Sequence, residues 1–112
     1  MQNTQRKALP NRRESCILDV WYNNERYHVS YSREPGPLYP STPIKEVFIH
    51  GPKVGSDADS LSFTMGVALS IALQRGATLD ELSHSVARHP NGEASDFIGH
   101  IIDTLKKETP NG

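Results

Sequence analysis

The chain has few of the residues that form cross-links, metal sites or membrane spans. It contains one cysteine, Cys16, so no disulfide can form within the chain and no cysteine-based zinc site exists. No run of about 18 apolar residues and no N-terminal apolar signal core occur, which predicts a cytoplasmic protein without a membrane segment. The HExxH and GxSxG motifs are also absent. We therefore expect no metal and no cofactor.

The net charge is small but unevenly distributed. A net charge of −1 argues against nucleic acid as the main partner. The first 13 residues carry four basic side chains and no acidic one: Arg6, Lys7, Arg12 and Arg13. Their charge of +4 leaves −5 for the rest of the chain. Such a basic segment is typical of a solubilising tail, with a phosphate-binding arm as the alternative.

The length of 112 residues predicts one domain with one hydrophobic core. Large apolar side chains are scarce at both ends of the chain. We therefore expect a flexible basic arm over residues 1–12, a single domain over 13–106 and a frayed C-terminus over 107–112.

The first half of the chain has the period of two that is typical of strands. Residues 14–22 and 26–33 alternate and are separated by a short polar turn, which predicts a β-hairpin. Four prolines in residues 35–43 predict an irregular connection, and residues 44–50 predict a third strand. Cys16 falls in the first strand, where we expect it to be buried as a small hydrophobic residue.

From Ser56 onward the period changes to that of a helix. Ser56 is the expected N-cap and Gly76 the expected end of a helix over residues 57–75. Apolar residues cover most of its circumference, which predicts a helix buried on several sides at the centre of the domain. Its predicted stripe and flanking apolar residues are Leu61, Phe63, Met65, Val67, Ala68, Leu69, Ile71, Ala72 and Leu73.

Two further helices follow. Thr78 and Glu81 match a capping box at the start of the second helix, and Ser95 is the expected N-cap of the third. The element order β-β-β-α-α-α predicts a two-layer α+β domain, a three-stranded antiparallel sheet followed by three helices. The first helix should lie between the sheet and the other two. Ile17, Trp21 and Phe48 are predicted on the outer face of the sheet, as an apolar dimer or docking surface.

The loop HGPKVGSDADS, residues 50–60, joins the third strand to the N-terminus of the first helix. Glycines in such a loop leave backbone amides exposed, and a helix N-terminus attracts anions. These features predict an anion site, with a plain strand-to-helix connection as the alternative. The candidate anion-binding residues are Gly51, Lys53, Gly55, Ser56 and Asp57. His50 and Asp59 form a second candidate polar site, for which helix capping is the alternative role of the aspartate.

The sequence GPKVGSDADSLSFTMGVALSIALQRGATLDEL, residues 51–82, follows a predicted strand and resembles the TSCPD domain family. A glycine-containing loop, a long helix rich in small residues, an ALQRG end and a short TLDEL helix recur in that family. The LPNRR lead at residues 9–13 also resembles its free-standing members, so the resemblance covers roughly residues 9–105. TSCPD domains occur at the C-terminus of adenosylcobalamin-dependent ribonucleotide reductases and as small separate proteins.

Departures from the family limit what the resemblance implies. The pentapeptide that names the family and any cysteine-rich tail are absent, and the chain is too short for the reductase barrel. With Cys16 as the only cysteine, ribonucleotide reduction cannot occur on this chain. The resemblance implies an accessory role near deoxyribonucleotide synthesis, with a reductase-related protein as partner.

Three functions follow from these observations. The first is a non-catalytic accessory domain that binds a nucleotide or another phosphate-bearing ligand at residues 51–57. The alternative is a homodimeric protein-interaction module without a small ligand, which would use the apolar surface near Trp21. The third is a small enzyme that uses His50, Asp57 and Asp59, although we expect no catalysis by this chain on its own.

Overall fold

The structure is a computed structural model that describes residues 15–108. The expected basic arm over residues 1–12 and the last four residues lie outside the described part. Three strands are followed by three helices: β1 (Cys16–Tyr22), β2 (Glu25–Arg33), β3 (Ile44–His50), α1 (Asp57–Gln74), α2 (Leu79–Ser83) and α3 (Phe97–Lys107). The sheet is antiparallel with strand order β1-β2-β3. The predicted α+β fold class is therefore confirmed, and Lys107 is helical where a frayed end was expected.

A two-residue turn fixes the register of the β1–β2 hairpin. Asn23 and Asn24 have φ angles of 51° and 63°, the left-handed conformation that two-residue hairpin turns require and that asparagine tolerates. Tyr22 and Glu25 then form the first pair, and the register continues to Cys16 opposite Tyr31. The alternating side chains of each strand therefore fall on defined faces of the sheet.

One face of the sheet forms the core with α1 and α3. Alternate residues of the strands point to this face, and α3 adds an apolar stripe. The buried core residues are Val20, Tyr27, Val29, Tyr31, Ile44, Val47, Ile49, Leu69, Leu73, Leu79, Ile101, Ile102 and Leu105. Cys16, expected in this core, is exposed because it lies at the start of β1, at one end of the sheet.

Helix α1 lies along the outer edge of β3, which corrects the predicted position between the sheet and the other helices. The Ser70 hydroxyl accepts a hydrogen bond from the backbone N–H of Val47 at 2.8 Å. The Gln74 amide donates to the backbone oxygen of Lys45 at 3.0 Å. A Cβ on Gly66 would lie 3.1 Å from the backbone nitrogen of Ile49, a tight contact that would push the helix and the strand slightly apart. Side chains of α1 thus satisfy backbone groups that an edge strand leaves unpaired.

The predicted burial of α1 on several sides is wrong. Leu61 and Phe63 are 49% and 47% exposed. The buried side is instead small and polar at four-residue spacing, formed by Ser62, Gly66, Ser70 and Gln74 together with Leu69 and Leu73. Helix α2 packs on α3, and α3 lies near β1, so neither covers the outer side of α1. The physical reason is that α1 packs on the backbone N–H and C=O groups at the edge of β3. Small or hydrogen-bonding side chains fit there, and apolar periodicity does not identify them.

The predicted helix boundaries are largely confirmed. Ser56 caps α1 by accepting from Asp59 N, and Thr78 forms the predicted capping box with Glu81. The third helix differs by one position, since Asp96 and not Ser95 is its N-cap. None of the helices within residues 15–108 is long and apolar enough to cross a membrane.

Candidate functional site

The loop between β3 and α1 is arranged around its own carboxylate. Asp59 accepts hydrogen bonds from the backbone N–H of Gly51 at 2.8 Å and of Gly55 at 3.1 Å. A Cβ on Gly51 would lie 2.8 Å from the Cα of Asp59, so this position requires glycine. Gly55 has a φ angle of 80°, which also favours glycine. The loop therefore holds an oxyanion, and in this structure that oxyanion belongs to Asp59.

Ser56 completes this internal network. Its hydroxyl donates to the backbone oxygen of Lys53 at 2.6 Å and accepts from the N–H of Asp59 at 3.1 Å. The amide of Gly55, and then that of Gly51, hold the pKa of the Asp59 carboxyl below its usual value. Asp59 is consequently a carboxylate at neutral pH, and an external anion would have to compete with it for two amides.

The structure brings only part of the predicted site together. His50 Nδ1 lies 3.5 Å from an oxygen of Asp59, and the His50 ring is 6.2 Å from that of Phe63. Lys53 and Asp57 are exposed, so they are open to solvent at the rim of the loop. Within residues 15–108 no group of three or more His, Cys, Asp or Glu side chains could hold a metal ion. The geometry therefore supplies an ionised aspartate that is held by two backbone amides and lies near His50.

The second candidate surface is the outer face of the sheet. Ile17 is 83% exposed, Trp21 59% and Phe48 36%. The pairing register places Ile17, Ser30 and Phe48 in one row across the three strands. Helix α1 reaches this face only at the end of β3, where the Phe63 ring lies 6.2 Å from that of His50, and α3 lies on the core face. Ile17, Trp21 and Phe48 are thus exposed on the outer face as predicted, and the row of Ile17 and Phe48, with Ser30 between them, is called the apolar row.

A polar row runs beside this apolar row. Asp19, His28 and His50 are paired across the sheet. An oxygen of Asp19 lies 2.9 Å from His28 Nδ1, and its other oxygen lies 3.8 Å from Arg26. The Arg26 guanidinium also lies over the Trp21 ring, 5.9 Å from its centroid, at a distance typical of cation–π contacts. The two basic side chains of the central strand β2, Arg26 and His28, therefore both lie toward β1.

A cleft of about 800 Å³ lies between the hairpin turn and α3. Tyr22 and His100 pack together in its wall, with ring centroids 5.5 Å apart. Arg88 also lines the cleft. Its guanidinium donates hydrogen bonds to both oxygens of Asp103, each at 2.9 Å, and to the backbone oxygen of Ser83. Arg88 in turn holds the pKa of the Asp103 carboxyl below its usual value.

The cluster around Arg88 was not predicted from the sequence. Arg88 and Asp103 are fifteen residues apart, and they come together only because α2 packs on α3. The one local signal is the break at RHPNG, residues 88–92, which predicts a loop but no partner for its arginine.

Comparison of this chain with known protein families, curated proteins and solved structures yields no match.

Proposed function

We propose that this chain is a non-catalytic accessory module that works as a homodimer through the outer face of its sheet. One observation carries the proposal: the large apolar side chains Ile17, Trp21 and Phe48 are exposed on the outer face of the sheet. The opposite face and the β3 edge are both packed, so this exposure is not a general feature of the sheet. Aromatic residues are enriched at the centres of protein interfaces, where their burial removes much apolar area from water.

The loop geometry favours this function over ligand binding at residues 51–57. The amides of Gly51 and Gly55 are already bound to Asp59. An incoming phosphate would have to displace a carboxylate that is held within its own helix turn. Binding at the outer face would not require the displacement of Asp59 from these amides.

The test is sedimentation of the wild-type chain and a Trp21→Asp variant over a range of concentrations. We expect a reversible dimer for the wild type and a dissociation constant raised by about 1,000-fold for the variant. The magnitude follows from the loss of about 2 kcal/mol or more that is typical of a central interface tryptophan, which a symmetric dimer loses twice.

The matched control is Leu38→Asp, because Leu38 is 75% exposed but lies outside the sheet. Dimerisation should be unchanged in this control. A wild-type chain that stays monomeric at high concentration would refute the proposal, as would a dimer that Trp21→Asp leaves intact.

A second candidate retains the phosphate-bearing ligand, and the oxyanion geometry of the loop favours it. The amides of Gly51 and Gly55 bind an oxyanion, the Asp59 carboxylate, and a phosphate oxygen would have to take its place. Together with the TSCPD resemblance, this supports a cytoplasmic accessory role beside a ribonucleotide reductase. Calorimetric titration with ATP, dATP and deoxynucleoside diphosphates tests it. Absence of heat up to millimolar ligand would remove it.

A further inference from the structure

On the outer face, residues of β1 are chemically complementary to residues of β3 in the same row, so β1 of one copy could pack on β3 of a second copy. Ile17 on β1 shares a row with Phe48 on β3, so both ends of that row are apolar. Asp19 shares the next row with His50, so an acidic residue lies at one end and an imidazole at the other. Ile17 and Asp19 therefore each have a chemically suitable partner at the β3 end of their row, and within one chain Asp19 also binds His28 while His50 lies 3.5 Å from Asp59.

A rotation by half a turn about an axis parallel to the strands makes these pairs meet. When the axis lies above β2, each row of one copy faces the same row of the second copy. Strand β1 of each copy then lies opposite β3 of the other. Ile17 then faces the partner's Phe48, and Asp19 faces the partner's His50. Trp21 comes to the segment that follows His50, where Pro52 is exposed.

We infer that two copies bind face to face about such an axis; this arrangement rests on the proposed function. Contacts related by a two-fold axis are formed twice, so the two complementary pairs become four. Aligned packing of two sheets keeps their strand directions within about 30° of each other, which this axis permits.

The charges near the axis are compatible with this arrangement. Arg26 and His28 lie on the central strand, where each would approach its own copy. Both side chains lean toward Asp19 on β1, at 3.8 Å and 2.9 Å. Because β1 of the second copy lies on the opposite side of the axis, the two sets of basic groups lean apart. Each set also stays neutralised by the aspartate of its own chain.

A two-fold axis perpendicular to the strands fits the same face less well. It can place the Ile17–Phe48 row on itself, but Trp21 then falls beyond the first residue of the partner's β1. If the axis instead crosses the polar row, Asp19 faces Asp19 and His50 faces His50. Like charges opposite one another are unfavourable, and an exposed tryptophan left outside the contact gains nothing from it.

The position of the hairpin turns distinguishes the two arrangements. With the axis parallel to the strands, both turns lie at the same end, and the Cα atoms of the two Glu25 residues are about 10 Å apart, the spacing of stacked sheets. With a perpendicular axis the turns lie at opposite ends, about 35 Å apart if the axis crosses the Ile17–Phe48 row and about 22 Å apart if it crosses the polar row, at about 3.3 Å per residue. A spin label at Glu25 reports this distance from an exposed site on the core-facing side of the hairpin.

The experiment uses the full chain with Cys16→Ser and Glu25→Cys, labelled with a nitroxide. We expect a dipolar coupling between the two labels, measured by double electron–electron resonance, at the shorter separation that the parallel axis gives; it should be lost on dilution with unlabelled chain or in the Trp21→Asp background. A Trp21-dependent dimer with the longer separation of a perpendicular axis would overturn this arrangement while leaving the proposed function intact. A chain that remains monomeric would overturn both.

A mixing experiment tests the specific contacts. Ile17→Arg alone and Phe48→Asp alone should each be monomeric, since the new charge meets an apolar partner twice. An equimolar mixture should form a heterodimer, in which one contact becomes an ion pair and the other stays Ile17 against Phe48. If the mixture sediments as two monomers, these residues do not face each other.

Discussion

The contact between α1 and the β3 edge predicts that one hydroxyl is essential for stability. Ser70 is 2% exposed, and its oxygen accepts from the N–H of Val47 at 2.8 Å. Its single hydrogen has two acceptors at 2.9 Å, the backbone oxygens of Val47 and Gly66. The substitution Ser70→Ala removes this hydroxyl and leaves the N–H of a fully buried strand residue facing a methyl group.

The magnitude follows from the group left unpaired. A buried donor without a partner costs about 1–3 kcal/mol. The higher helix propensity of alanine returns about 0.5 kcal/mol. Ser70→Ala should therefore lower the free energy of unfolding by about 2 kcal/mol, which corresponds to a Tm lower by about 10 °C for a domain of this size.

The assay is thermal and urea unfolding followed by circular dichroism, with Ser60→Ala as the control. Ser60 lies on the same helix but is exposed, so the same chemical change should alter stability by no more than about 0.5 kcal/mol. Equal stabilities of the two variants would show that Ser70 does not hold the strand edge.

Two further predictions concern other parts of the fold. Gly66→Val should destabilise the chain by about 2 kcal/mol or more in urea unfolding, because its side chain would overlap the β3 backbone. Ala68→Val, on the exposed side of the same helix, is the control, and equal effects would exclude the close approach. Burial raises the pKa of Tyr31 to about 12, so stability from its neutral phenol should be lost between about pH 10 and 12. Burial also raises the pKa of Tyr27, so absorbance titration should show late phenolate ionisation whose amplitude Tyr31→Phe lowers by one tyrosine; an unchanged amplitude would contradict the assignment.

The sequence allows the elements to be predicted because each has a local physical cause. Alternation predicted the strands, and the Thr78–Glu81 capping box predicted the start of α2. The exposed positions of Ile17, Trp21 and Phe48 followed from the same alternation. Local patterns of this kind do not depend on how the elements pack together.

The position of α1 could not be predicted because it depends on a contact with backbone atoms. Apolar periodicity pointed to residues such as Leu61, which is half exposed. The side that packs contains Ser62, Gly66 and Ser70, which a hydropathy pattern treats as solvent-facing. Small residues at four-residue spacing were the available signal. In the 51–57 loop, likewise, the sequence indicated an oxyanion site but not that Asp59 itself supplies the oxyanion.

Coverage of β3 by α1 determines how this sheet can grow. Within residues 15–108, β1 pairs only with β2, so its far edge is the one place where another strand could be added. Two chains joined edge to edge there would each use that single opening and leave no free end for a third. Edge-to-edge pairing would therefore end with two chains. Sheets with two open edges can form long polymers, but here Ser62, Gly66 and Ser70 of α1 pack on the β3 edge and prevent this.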